Sequence, residues 1–145
     1  MKKRVLILTA LITVTCMACF TKGSAKKELL LSGSQISKSQ KEILTKAGLN
    51  TADSIFLLFS QGNLANNAAF ITGQYIAVLD SQKILGAKYP DIFDMLHSHS
   101  KDSVKASTIT IYLKDDTDFT IRFKGNTSSD EQFFNILRDS WAVAN

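Results

Sequence analysis

A chain of 145 residues that is 45% hydrophobic and holds a single proline has room for one packed domain, and its composition is neither disordered nor low in complexity. Its formal charge of +4 comes from the first 25 residues, where Lys2, Lys3, Arg4 and Lys22 stand without an acid, leaving 13 basic against 13 acidic residues from Lys26 onward. Nucleic-acid binding needs a basic surface that releases counterions, so a neutral domain without a basic cluster excludes that class.

The cationic head Met1-Lys2-Lys3-Arg4 precedes sixteen uncharged residues, Val5 to Phe20, which is the layout of a bacterial signal peptide. The run is shorter than the roughly 20 apolar residues of a comfortable membrane span. Two endings are open. Gly23 and Ala25 occupy the small-residue positions of a peptidase site, making residues 1–25 the leader of a soluble domain. Alternatively, Met17-Ala18-Cys19 ends a lipobox, residues 1–18 are removed, and Cys19 carries a diacylglycerol; Cys16 then stands where an aliphatic residue is usual. Either ending implies export, to the periplasm or to a membrane tether. Cys16 and Cys19 are the only cysteines, so the Cys-x-x-Cys spacing lies in the leader and the domain relies on its core rather than on disulfides.

Along the domain, residues 34–47 are predicted to form an amphipathic helix with Ile36, Ile43, Leu44 and Ala47 on one stripe, a Ser39/Glu42 capping box, and Gly48 as the left-handed stop. Residues 54–60 read as a buried strand rich in aromatic and branched side chains. After a turn over residues 61–67, extended structure resumes at 68–72 and 75–80 around Gly73, where a bulge or tight bend is expected. Ser81-Gln82 then turns the chain into a short strand at Ile84-Leu85. The clearest signal is a hairpin. Ile109, Ile111 and Leu113 alternate with polar residues, and after Lys114-Asp115-Asp116-Thr117 the alternation resumes through Phe119, Ile121 and Phe123. A helix from Ser128 to about Val143 follows, opened by a Ser128/Glu131 capping box, with Phe133, Phe134, Ile136, Leu137 and Trp141 at helical spacing as core residues. The expected fold class is α+β: a small antiparallel sheet or barrel with an N-terminal helix and a C-terminal amphipathic capping helix, in one domain over residues 26–145.

In this order of elements, Asp53-Ser54-Ile55, the strand Phe70-Ile71-Thr72, the segment Tyr89-Pro90-Asp91-Ile92 and the turn Lys114-Asp115-Asp116-Thr117 resemble bacterial PH-like domains related to GRAM domains, over roughly residues 37–141. Gly73 and Tyr75 replace the asparagine and arginine usual in that family. The resemblance implies a PH-like barrel that binds lipids in some relatives and proteins in many others; fold alone does not choose between them. It also implies that phosphoinositide recognition would use basic residues in the first strand-to-strand loop, here Gln61 to Asn67, which carries no positive charge. Specific phosphoinositide binding is therefore not expected.

His97 and His99 are the only histidines, and a His-x-His pair on a strand places both imidazoles on one face toward a metal, with Asp91, Asp94 and Asp102 near enough in sequence to add ligands. The same residues also read as a polar surface loop from Leu96 to Asp102. Asp115, Asp116 and Asp118 lack the glycine and distal glutamate of a calcium loop and read as a solvated turn. No nucleophile elbow or phosphate loop is present, and Asn126-Thr127-Ser128, a formal glycosylation sequon, reads as a loop. The expected function is a non-enzymatic binding or structural protein of the cell envelope that uses no cofactor, acts through protein contacts, and meets the membrane only through an N-terminal lipid. The alternatives are a small hydrolase or metal-dependent protein built on His97 and His99, and an exported effector or immunity-type protein.

Overall fold

The computed structural model describes residues 28–125 and 127–145; the leader, both cysteines and Asn126 lie outside them. Strands β1 (Glu28–Ser32), β2 (Ile55–Gln61), β3 (Asn67–Thr72), β4 (Tyr75–Asp80) and β5 (Lys83–Lys88) form an antiparallel sheet in that order. Strands β6 (Ile92–Ser98), β7 (Ser107–Leu113) and β8 (Asp118–Phe123) form a second sheet, also antiparallel and in chain order. Helix α1 (Lys38–Lys46) lies between β1 and β2, and α2 (Ser129–Ala144) closes the chain. None of the described helices is long and apolar enough to cross a membrane.

The two sheets differ in how many faces they bury, and the sequence of each strand follows from that. On one face of the larger sheet Leu57, Phe59, Ala69, Ile71, Ile76 and Val78 meet the inward residues of the smaller sheet and Phe133 and Leu137 of α2. On its other face Leu58, Ala68, Phe70, Ala77 and Leu79 pack against Ile36, Leu44 and Leu49 on and around α1. Strands covered on both faces read as continuous apolar runs, as β2 to β4 do. The smaller sheet is covered once: Ile109, Ile111, Phe119, Ile121 and Phe123 point inward, while Thr108, Thr110, Tyr112, Thr120 and Arg122 point outward. Strict alternation in β7 and β8 is the consequence.

Several local expectations are corrected. Residues Gly33–Gln35 form a short 3-10 turn, so α1 starts at Lys38 rather than at residue 34. Its capping box is Ser37 with Gln40, not Ser39 with Glu42: the Ser37 hydroxyl oxygen accepts from the Gln40 N–H and the Gln40 side-chain oxygen accepts from the Ser37 N–H. Gly48 takes the left-handed stop at φ +91°. Ser128 precedes α2 but makes no side-chain cap, because its backbone (φ −100°, ψ 5°) is not the extended conformation that turns a capping oxygen over the first N–H groups. Of the two forms expected around Gly73, the tight bend is the one present, as a two-residue hairpin turn, and a register shift lies in β2 between Ile55 and Leu57.

Tyr89 sits where the chain passes from one sheet to the other. It is completely buried, and its hydroxyl donates to the Thr72 carbonyl at the end of β3. Burial pushes the phenol up to about 12, with the Ser140 hydroxyl of α2 pulling the other way. A phenol raised above its unfolded value of 10.0 contributes stability that is complete below pH 10 and lost as pH rises through 12. The wild-type protein should therefore lose about 2 kcal/mol between pH 10 and 12 that Tyr89→Phe does not lose, at the cost of about 1 kcal/mol for the missing hydrogen bond at neutral pH. Chemical denaturation of both proteins across that range measures the difference.

Candidate functional site

Strand β6 is one edge of the smaller sheet, and its register with β7 sends Met95 and His97 inward opposite Ile111 and Ile109. His99 follows one residue beyond the strand. The Ser100 N–H donates to the Ser107 hydroxyl at the start of β7, which folds the connecting loop back over the sheet end. Gly125 lies under that loop: a Cβ there would stand 2.0 Å from the carbonyl oxygens of both Asp102 and Lys105, so only glycine permits the contact.

Both imidazoles face the first turn of α2. His97 Nε2 and His99 Nδ1 each lie 2.8 Å from the same oxygen, Oδ2 of Asp130, and His99 Nδ1 is also 3.7 Å from a carboxylate oxygen of Glu131. The ring of His97 stacks on Phe134 of α2 at 4.8 Å, which fixes its plane. Asp130 is fully buried, and its second oxygen, Oδ1, has no hydrogen-bond partner among the described residues. Burial pushes the Asp130 carboxyl up, but the hydrogen bonds from His97 and His99, with the nearby Ser107 hydroxyl acting as a dipole, outweigh it and hold the group below its ordinary 3.8. The N-terminus of α2 favours the same charge. A charged carboxylate only accepts, so His97 offers an Nε2 proton and His99 an Nδ1 proton.

The structure thus unites the two histidines named from the sequence: His97 is on β6, while His99 is in the connection that follows, so of the loop read over Leu96–Asp102 the first three residues are strand. It does not bring Asp91, Asp94 or Asp102 to them. Asp91 ends a 3-10 turn, Asp94 points outward from β6, and Asp102 caps its own loop by accepting the Val104 N–H. The third member is Asp130. Its signal was present in the helix: residues 130, 133, 134, 137 and 141 form one stripe, and a carboxylate on an apolar stripe needs a buried partner. Asp115 remains in a solvated turn, where the Thr117 hydroxyl and N–H both donate to it and hold its carboxyl low. Among the described residues no serine hydroxyl hydrogen-bonds either imidazole, as a Ser-His-Asp hydrolase would require.

A second feature occupies the outer face of the smaller sheet. A cleft of about 390 Å³ is lined by Phe93, Asp94, Tyr112, Leu113, Asp116 and Thr117. Phe93 is 70% and Leu96 56% exposed, and Tyr112 is flanked across the sheet by Asp94 and Asp118.

No protein-family model and no curated protein matches the chain. Among solved structures it is similar to a DUF1696-family protein with a pleckstrin-homology domain from Shewanella loihica PV-4, with a TM-score of 0.51 and 9% identity over 81% of this chain and 97% of that one. The fold is PH-like. At that identity the likeness shows architecture alone, and it agrees with the two antiparallel sheets closed by a C-terminal helix.

The His97–Asp130–His99 contact ties the edge strand to the last helix. Asp130→Ala should lower stability by about 1–3 kcal/mol, since it strands two imidazoles that had a buried acceptor. Asp130's share of the stability is present above pH 3.8 and lost as the pH falls through its lower folded value, so the variant should show a shallower acid limb in urea titrations.

Proposed function

We propose that this chain is a non-enzymatic binding module of the bacterial cell envelope, working through protein contacts on a PH-like scaffold. The observation that carries the reading is the exposed cleft around Phe93 and Tyr112. Large apolar side chains on the wet face of a sheet are costly to leave in water, and a contiguous group of them beside polar residues is characteristic of interaction surfaces. Carboxylates of Asp94, Asp116 and Asp118 around the aromatic rings complement a partner segment that presents basic and apolar side chains together.

Placement in the envelope rests on the leader at residues 1–25, with the domain soluble after Ala25 or tethered through Cys19. The loop between β2 and β3 offers no lysine or arginine to a phosphoinositide, and the neutral domain offers no basic surface to nucleic acid. A photo-crosslinking residue at position 93 in the native host should trap a discrete adduct, and one at position 42, on the opposite side of the larger sheet, should not. The adduct should fall at least tenfold with Asp94→Lys. Equal adduct patterns at 93 and 42 would contradict the proposal.

A further inference from the structure

We propose that His97, His99 and Asp130 form a binding site for a divalent transition metal ion of the zinc class. Three ligand atoms, one from each residue, lie within 4.8 Å of one another. Two imidazoles and a carboxylate are the donor set that zinc and its neighbours favour over calcium or magnesium, which take oxygen.

The convergence is what hydrogen bonding alone leaves unexplained. Two donors crowd a single oxygen, Oδ2, while Oδ1 of the same buried carboxylate has no partner among the described residues. A pair of hydrogen bonds would satisfy more of the carboxylate by taking one oxygen each. Ligands aimed at an ion have to point at one spot. Donor atoms around a tetrahedral ion with bonds of about 2.0 Å stand about 3.3 Å apart. The two histidine-to-carboxylate separations of 2.8 Å reach that spacing if each histidine withdraws by about 0.5 Å, and the two ring nitrogens already lie within 4.8 Å of each other. Both rings lie at or just past the strand end and are partly exposed to solvent, with side-chain exposures of 16% and 27%.

On binding, His97 Nε2 and His99 Nδ1 present lone pairs to the ion. Their protons move to His97 Nδ1 and His99 Nε2, so no net proton is released by neutral rings. Phe134 stacking keeps His97 in the required plane. Glu131, whose side chain is 54% exposed and lies 3.7 Å from His99 Nδ1, is the fourth ligand, reached by a side-chain rotation. An ion held this way joins the β6 edge to α2 as a structural bridge.

The test uses the purified full chain without a histidine tag, stripped with chelator and titrated with zinc chloride in a calorimeter, alongside thermal melting. One zinc ion per chain and a higher melting temperature are expected, because an ion that binds only the folded state stabilises it. His97→Asn and His99→Asn should each weaken binding at least 100-fold, and Glu131→Gln less than tenfold. Circular dichroism establishes that each variant is folded; should either histidine variant fail to fold, titration of wild-type protein with cobalt, read by the absorption bands of a nitrogen- and oxygen-ligated tetrahedral ion, decides instead. Absence of binding heat at 100 μM zinc in the wild-type protein, or equal affinity in folded His97→Asn and His99→Asn, would overturn the proposal.

Discussion

A carboxylate with no solvent exposure stands in the first turn of the last helix, and the arrangement of this half of the molecule depends on how that charge is satisfied. Asp130 remains ionised because two imidazoles from the end of β6 donate to one of its oxygens and the helix N-terminus adds a favourable field. That requirement sets the rotation of α2 about its own axis. With Asp130 turned toward the histidines, Phe133 and Leu137, three and seven residues on, face the interior and reach Phe59 and Phe123 from the two sheets. Phe134, the next position on the stripe, covers the ring of His97. Tyr89 anchors the far end of the same helix at the crossing between sheets, near Ser140.

The helices also determine which surface remains free for function. Helix α1 occupies the outer face of the larger sheet and α2 lies over the barrel interior, so the outer face of β6 to β8 is left to solvent. Its β7 and β8 strands carry Thr108, Thr110 and Thr120, with the Thr110–Thr120 hydroxyl pair at 3.0 Å across the two strands, as expected of a wet sheet face. The β6 side departs from this pattern, with Phe93 and Leu96 on β6 and Tyr112 on the neighbouring β7 among carboxylates. Because His97 lies on the same strand, turned to the other side, anything that fixes β6 against α2 also fixes the presentation of that aromatic edge. The exposed aromatic face and the histidine cluster are two sides of one strand.

Legibility in the sequence tracked how regularly each strand was buried. The hairpin of β7 and β8 was plain because one wet face and one dry face impose a period of two, and α2 was plain because its stripe is long. β2 to β4 were recognisable as apolar runs. β6 was obscured for a physical reason: a register shift between Ile92 and Asp94 breaks the alternation, and an edge strand with exposed Phe93 and Leu96 carries no clear inside and outside. β1 was missed because Leu29, Leu30 and Leu31 are each half-buried against a single neighbouring strand and are read only as a short run. The site was half legible. A His-x-His spacing suggested two ligands, but the acid nearest in space is about 31 residues away in sequence, and the nearer aspartates Asp91, Asp94 and Asp102 were the ones local spacing offered. Burial of Asp130 on an apolar stripe was the clue that spacing around the histidines did not contain.

The ring nitrogens of the two histidines test this arrangement most directly. Nitrogen-15 NMR of the metal-free chain, taken at mildly alkaline pH where imidazoles are neutral in water, reports which nitrogen of each ring carries the proton. The shared carboxylate oxygen requires opposite tautomers, with the proton on Nε2 of His97 and on Nδ1 of His99, both slow to exchange. Two rings with the same tautomer, or ring protons exchanging as in a free side chain, would contradict the buried Asp130 contact on which the position of α2 rests.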